Sequence, residues 1–184
     1  VNNVINKRNI VGAIAVAVMV LLSAVPSFAA SPSSTQPVEV TVSPTVAIAA
    51  RWAGGGNNST ITLGTIPADN IQRTFTGGPA GQEIMTFSNV GIDIWTRLAD
   101  NFAGIDPFAP SNFRFTGLNI TVPRSYTTTY QIIGNNTPKA PAGNHTIFPV
   151  TFDITIPFGT APGGYTNTVF FSAVQHGFAA PTTP

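Results

Sequence analysis

Cysteine is absent from this chain and charge is scarce. Without thiols there is no disulfide staple, no Cys-ligated zinc or iron–sulfur centre and no thiolate nucleophile. Charged residues make up 8% of the 184, far below the usual quarter or so. A soluble monomer ordinarily relies on charge for colloidal stability. A chain this poor in it must coat itself with Thr, Asn, Ser and glycan, or cover its surface with neighbours. The only histidines, His145 and His176, stand far apart, so neither has a local partner for metal ligation or general base catalysis. The seven carboxylates, Glu39, Asp69, Glu83, Asp93, Asp100, Asp106 and Asp153, show no pairing that marks a glycosidase. Asp100, Asn101 and Asp106 offer oxygens to calcium but lack the EF-hand ladder and read as a solvated loop. Phosphate-binding loops, dinucleotide fingerprints and the G-x-S-x-G elbow are missing as well. The expectation is no catalytic residue, no cofactor and no metal, hence not an enzyme. A hydrolase whose groups converge from distant positions is the alternative that sequence leaves open.

What is present begins with a tripartite leader. Lys7 and Arg8 precede an apolar run from Ile10 to Val25, followed by Pro26 and the small-residue stretch Ser27-Phe28-Ala29-Ala30. This is the grammar of a secretory signal peptide over residues 1–29, cut between Ala29 and Ala30. The apolar run is short for a bilayer span, which needs about 20 residues; a retained apolar anchor is the competing reading. Export implies an extracellular or cell-surface location, with membrane contact only through the signal peptide. Removal of Lys7 and Arg8 leaves six basic residues against seven acidic ones, a net charge of −1. The remaining basic residues form no patch, so a nucleic-acid partner is not expected.

Behind a flexible leader over 30–37, period-two alternation sets in and predicts one β-rich domain over 38–176, with a loose tail over 177–184. Val38, Val40, Val42, Val46 and Ile48 share one face of an extended segment reaching to Ala50, with Pro44 suiting an edge strand or a bulge. Further strands are predicted at 61–66, 74–76, 83–87, 90–98, 113–122 and 126–133, with a long loop at 99–112. Asp93 and Arg97 are placed to exchange charge across Trp95. Two strongly alternating runs, 148–156 and 165–174, flank a Gly/Pro loop and read as an antiparallel hairpin. Many short strands with little helix and no βαβ alternation give an all-β antiparallel sandwich of jelly-roll or Ig-like type. Sequons at Asn57, Asn58, Asn119, Asn135 and Asn144 are candidate N-glycosylation sites, Asn119 being the weakest because it falls in a predicted strand.

Three segments carry a family resemblance. Ile61-Thr62-Leu63-Gly64-Thr65-Ile66-Pro67-Ala68-Asp69, Ser88-Asn89-Val90-Gly91-Ile92-Asp93-Ile94 and the loop Ile156 to Thr168 resemble secreted archaeal β-sandwich surface proteins. The wider group includes the TasA/camelysin-like biofilm fibre proteins and the archaeal bundling pilins. The resemblance implies a sandwich that polymerises head to tail by donor-strand complementation, an N-terminal strand of one subunit completing the sheet of the next. Val38, Val40, Val42, Val46 and Ile48 are the candidate donor residues, and Pro44 is a departure within that segment. The expected partner is therefore another copy of the chain, in an extracellular filament or pilus. The same strand folding into its own domain is the opposing reading. The alternative function is a secreted carbohydrate-binding or cell-surface binding module, with Trp52, Trp95 and Tyr126 as a stacking platform.

Overall fold

The computed structural model describes residues 37–182, so the predicted signal peptide and nearly all of the predicted flexible leader lie outside the described residues. The described part falls into two units, one ending at Thr41 and one running from Val42 onward. Over the described residues 37–41 the backbone forms no strand, and Val38 and Val40 are exposed.

From Val42 onward the chain is the predicted all-β sandwich. Its strands are β1 (Ile48–Trp52), β2 (Gln72–Phe75), β3 (Gln82–Thr86), β4 (Ile92–Leu98), β5 (Phe113–Gly117), β6 (Ile120–Ser125), β7 (Gln131–Thr137), β8 (Thr146–Thr155) and β9 (Val169–Gln175). The larger sheet has the order β1-β3-β8-β5-β6, with β2 also paired to β8, and the smaller sheet has the order β7-β4-β9. Every pairing is antiparallel. Strand β8, the longest, has alternate residues Val150, Phe152 and Ile154 buried in the core. Ile92, Ile94 and Leu98 of β4 meet them from the other sheet, as period-two alternation requires of two sheets packed face to face.

Aromatic rings fill the space between the sheets. Phe113 lies 4.8 Å from Phe152 and 5.2 Å from Tyr126, and Phe115 lies 4.7 Å from Tyr126, centroid to centroid. The Tyr126 hydroxyl sits 3.2 Å from that of Thr96, whose other contact is the Phe170 carbonyl at 3.0 Å. Thr96 has one proton, which goes to the carbonyl, so Tyr126 donates to Thr96. Burial pushes the Tyr126 phenol above its ordinary value, so it stays protonated and remains a donor.

Four predicted elements turn out differently. Residues 61–67 form no strand. Ile61, Leu63 and Ile66 still pack against the core, but Gly64 sits at φ 73 and breaks the extended run. The predicted strand 113–122 is a hairpin, because Gly117 (φ 145) and Leu118 (φ 50) reverse the chain between β5 and β6. Strand β7 starts only at Gln131, and Tyr126, read as strand, fills the core instead. Most consequentially, β8 and β9 do not form a hairpin: β8 belongs to the larger sheet and β9 pairs with β4. The connection from 156 to 168 is far longer than the roughly 2–5 residues of a hairpin loop and crosses between sheets. It is held on the way by paired backbone bonds between Ala103 and Thr166 at 2.9 and 3.0 Å.

Phe152 is fully buried and touches Trp52, Phe113 and Tyr126. Phe152→Ala is expected to cost about 3–5 kcal/mol, read as a lower denaturation midpoint with unchanged slope in chemical unfolding.

A candidate docking groove at the edge of the smaller sheet

The residues of β1 obey a simple parity. Backbone bonds from Ala53 N to Gly81 O, Phe87 N to Ala47 O and Asn89 N to Thr45 O carry the β1–β3 register beyond both ends of the strand. Since only alternate residues of an antiparallel pair exchange ladder bonds, odd residues from Thr45 to Ala53 face β3 and its flanks, and even residues face outward. Pro44, with no N–H, therefore stands on the outward side, where no bond is lost. Side chains finish the attachment: Asn89 accepts from Thr45 N at 2.7 Å and donates to Ser43 O at 3.0 Å, and Ser88 Oγ accepts from Ala47 N at 3.0 Å. Of the candidate donor residues, Ile48 is thus paired with Thr86 of its own sheet, and Val46 lies between two residues bonded to their own chain. Val38, Val40 and Val42 are without strand pairing, and are 84%, 78% and 75% exposed.

The same logic applied to β9 exposes a free edge. Bonds from Ala99 N to Thr168 O and from His176 N to Gly91 O continue the β4–β9 register. Even residues of β9 consequently face β4, and Val169, Phe171 and Ala173 turn their N–H and C=O groups the other way. Their side chains pack against the core. Among the described residues no strand pairs with this edge. Beyond it, the Gln175 carbonyl is taken by the N–H of Phe178 at 3.1 Å.

This edge opens on a groove of about 1020 Å³. One wall is β1 with residues 58–68; the other is the 160–168 connection and the first part of β9. Leu98, Phe102, Phe108, Phe113 and Ile154 contribute to its lining. A small-molecule site converges a few polar side chains on its ligand. Here the lining mixes apolar side chains with Thr, Ser, Asn and Gln, and where β9 borders the groove the outward N–H and C=O groups of Val169 and Phe171 add a backbone row, the arrangement that receives an extended chain.

The far end of β9 is secured by a charged contact. Asp93 on β4 accepts from Asn136 N at 2.7 Å, and His176 Nδ1 lies 2.8 Å from the same oxygen. Burial pushes the Asp93 carboxyl up, but the hydrogen bonds from Asn136, His176 and the Gly177 backbone together outweigh it and the net shift is downward. The predicted Asp93–Arg97 exchange does not occur. Arg97 is instead 7% exposed with its guanidinium 4.2 Å from the Phe170 ring and 5.2 Å from that of Tyr130.

Other predicted features are dispersed. Trp52 stacks on Phe152 at 6.2 Å, Tyr126 is 1% exposed, and Trp95 lies on β4, so the three rings form no common platform. His145 packs beside Phe87, remote in role from His176. Asp106 accepts from Ala161 N at 2.8 Å and Asp100 from Asn101 N at 2.8 Å, both serving loop structure. Among the described residues no group of three or more His, Cys, Asp or Glu is placed to hold a metal ion, and no helix is long and apolar enough to cross a membrane. All five sequon asparagines are exposed. Asn119 is on the β5–β6 turn rather than in a strand, and accepts from Asn135 N at 2.7 Å. Asn135 lies in β7, whereas Asn57, Asn58 and Asn144 are on turns or bends.

The free β9 edge escaped the sequence reading because the expected β8–β9 hairpin would have paired it. The length of the connection, 156–168, was the available signal against that hairpin. No protein-family model matches the chain, and no curated protein matches it either.

Asp93 has its carboxyl below the ordinary 3.8. Its contribution is therefore present above that value and lost as pH falls through the lower folded-state one. Melting temperature should drop with pH in the acid range below about 3.8, and Asp93→Asn should flatten that limb. A residual slope is expected from Asp69, whose carboxyl the Arg73 hydrogen bond also holds below the ordinary range.

Proposed function

We propose that this chain is an extracellular structural subunit of a cell-surface filament or pilus, in which the valine-bearing leader of one subunit completes the smaller sheet of the next. The observation that carries the reading is the coexistence of an unpaired alternating segment, Val38, Val40 and Val42, with an unpaired edge, β9, lining an apolar groove. Each lacks what the other offers: backbone partners and an apolar face. Burying a valine fully is worth about 1.5–3 kcal/mol, and ladder bonds add register to that affinity.

Donor and acceptor are different surfaces of one molecule. Contact between copies is then heterologous, and a heterologous contact that does not close into a ring builds an open filament. The scarcity of charge fits a surface covered by neighbours, and the secretory pattern at the start of the sequence fits assembly outside the cell. Within this reading Asn57, Asn58 and Asn144 are the sequons best placed to carry glycan, since a turn exposes the side chain without a ladder to protect. The donor segment is shorter than the sequence alone suggested, because Val46 and Ile48 are engaged with their own sheet or its flank.

Val40 is exposed and unpaired, so Val40→Asp should leave monomer stability within about 0.5 kcal/mol of the parent. Filaments seen by negative-stain electron microscopy of the exported protein should disappear. Filaments of normal abundance from this variant would refute strand donation by the leader.

A further inference from the structure

Resting on the filament reading, we infer that the leader adds to β9 in one direction and one register: antiparallel, with Val38 opposite Ala173, Val40 opposite Phe171 and Val42 opposite Val169 of a sibling molecule. The argument is from hydrogen-bond parity. The residues of β9 that offer free N–H and C=O groups are the same ones whose side chains face the core, Val169, Phe171 and Ala173. In an antiparallel pair, residues that exchange both ladder bonds stand directly opposite and point their side chains to the same face. The leader residues bonded to this edge must then be those facing the core, which are the valines.

Length decides the register. The leader presents three such residues before Pro44, which is the next on the same face and has no N–H to give. The edge presents three before Gln175, whose carbonyl is already taken by Phe178. Only one antiparallel alignment pairs all three with all three, and in it the ladder stops at Pro44 on the donor side. Parallel addition would put the bonds on Glu39, Thr41 and Ser43 instead. A parallel pair is also slightly less stable per residue than an antiparallel one. The alternation of the leader, the parity of β9 and the position of the proline converge on a single docked arrangement, in which the three-stranded sheet becomes four-stranded. Residues 43–47 meanwhile stay on the donor's own body, clamped by Ser88 and Asn89, so the crossing between subunits falls at Val42–Ser43.

The chain has no cysteine, which allows direct mapping. Double variants of the full exported chain are oxidised after assembly and run on denaturing gels. Val38→Cys/Ala173→Cys, Val40→Cys/Phe171→Cys and Val42→Cys/Val169→Cys should give covalent ladders, and the mismatched Val38→Cys/Val169→Cys should stay monomeric. A ladder from the mismatched pair with none from the matched ones would overturn the register. A fast-migrating monomer from the matched pairs, marking a bond within one molecule, would overturn the sibling as occupant. Hydrogen exchange on the unmodified protein supplies a check that no substitution can disturb. The amides of Val169, Phe171 and Ala173 should slow on assembly, and those of Phe170 and Ser172, already turned to β4, should change little. Filaments that form without slowing these three amides would refute β9 as the acceptor while leaving filament formation standing. Absence of filaments from the unmodified chain would remove the function itself, and the register with it.

Discussion

An antiparallel sheet cannot end without leaving a row of N–H and C=O groups, and each such row has to be blocked, covered or used. The larger sheet blocks both ends of its strand order, and the remaining free side, along β2, is only four residues long and carries Arg73. Along β1, the turn after the strand folds back so that Asn58 N reaches Ala50 O at 2.7 Å and Ser59 Oγ accepts from Trp52 N at 2.8 Å. Along β6, Pro123 and Arg124 interrupt the row. In the smaller sheet, β7 carries register shifts against β4 and a positive φ at Asn136, which spoil it as a template. Strand β9, with the sequence VFFSAVQ, has no proline, no charge and no such irregularity in its register with β4. It is the edge that the fold leaves undefended, and it is also the one that borders the groove.

The interior explains how such an open edge is tolerated without disulfides or a dense network of surface ion pairs. Stability is concentrated in the aromatic cluster of Phe113, Phe115, Tyr126 and Phe152, all nearly or fully buried. The buried carboxylates each have a hydrogen-bond donor, whereas the Arg97 guanidinium lies over the Phe170 ring and leaves its Nε unpaired. Glu83 takes the Arg51 Nε–H at 2.6 Å across the β1–β3 pair, and Asp153 takes the Thr74 hydroxyl at 2.6 Å across β2–β8. Both contacts sit between directly opposed residues, so they reinforce the register as well as satisfying charge. Such an arrangement holds the two sheets together from within and asks little of β9, which remains half-buried along its length.

The fold class was legible in the sequence because period-two alternation is local, and strands β3, β4 and β8 emerge close to where Glu83–Phe87, Val90–Leu98 and Phe148–Ile156 placed them. Which strand pairs with which was less legible. The runs at 148–156 and 165–174 alternate well enough to form a hairpin with each other, and only the hydrogen-bonded pairing of Val169–Gln175 with β4 assigns the second to the other sheet. Residues 61–66 alternate as well as many strands do, yet their apolar side chains find the core without a backbone neighbour. Alternation reports which side of a segment is apolar, not whether a partner exists for its hydrogen bonds. The groove follows from those missing partners, so the sequence alone could supply the valines of the leader but not the groove or the unpaired edge beside it. The Asp93–His176 contact was equally hidden, since it joins residues that only the β4–β9 pairing brings together.

A protein that uses strand addition for assembly also has to keep strand addition finite. Identical edges that accept indefinitely lead toward stacked cross-β growth rather than a filament of folded subunits. On the proposed assembly, two short features would limit the process in this chain. The bond from Phe178 N to Gln175 O closes β9 beyond Ala173, and Pro44 takes away the next donor on the bonded side of the leader. A third follows from geometry. Once docked, the leader would be a new edge strand whose outward groups belong to Glu39 and Thr41, and a charged side chain on an edge strand disfavours further pairing. In a chain with only seven acidic residues, a carboxylate at position 39 is well placed for that purpose. Replacing an undefended edge by one that carries its own charge would make each proposed addition the last for that sheet. Under that proposal, growth would continue only through the next molecule's groove.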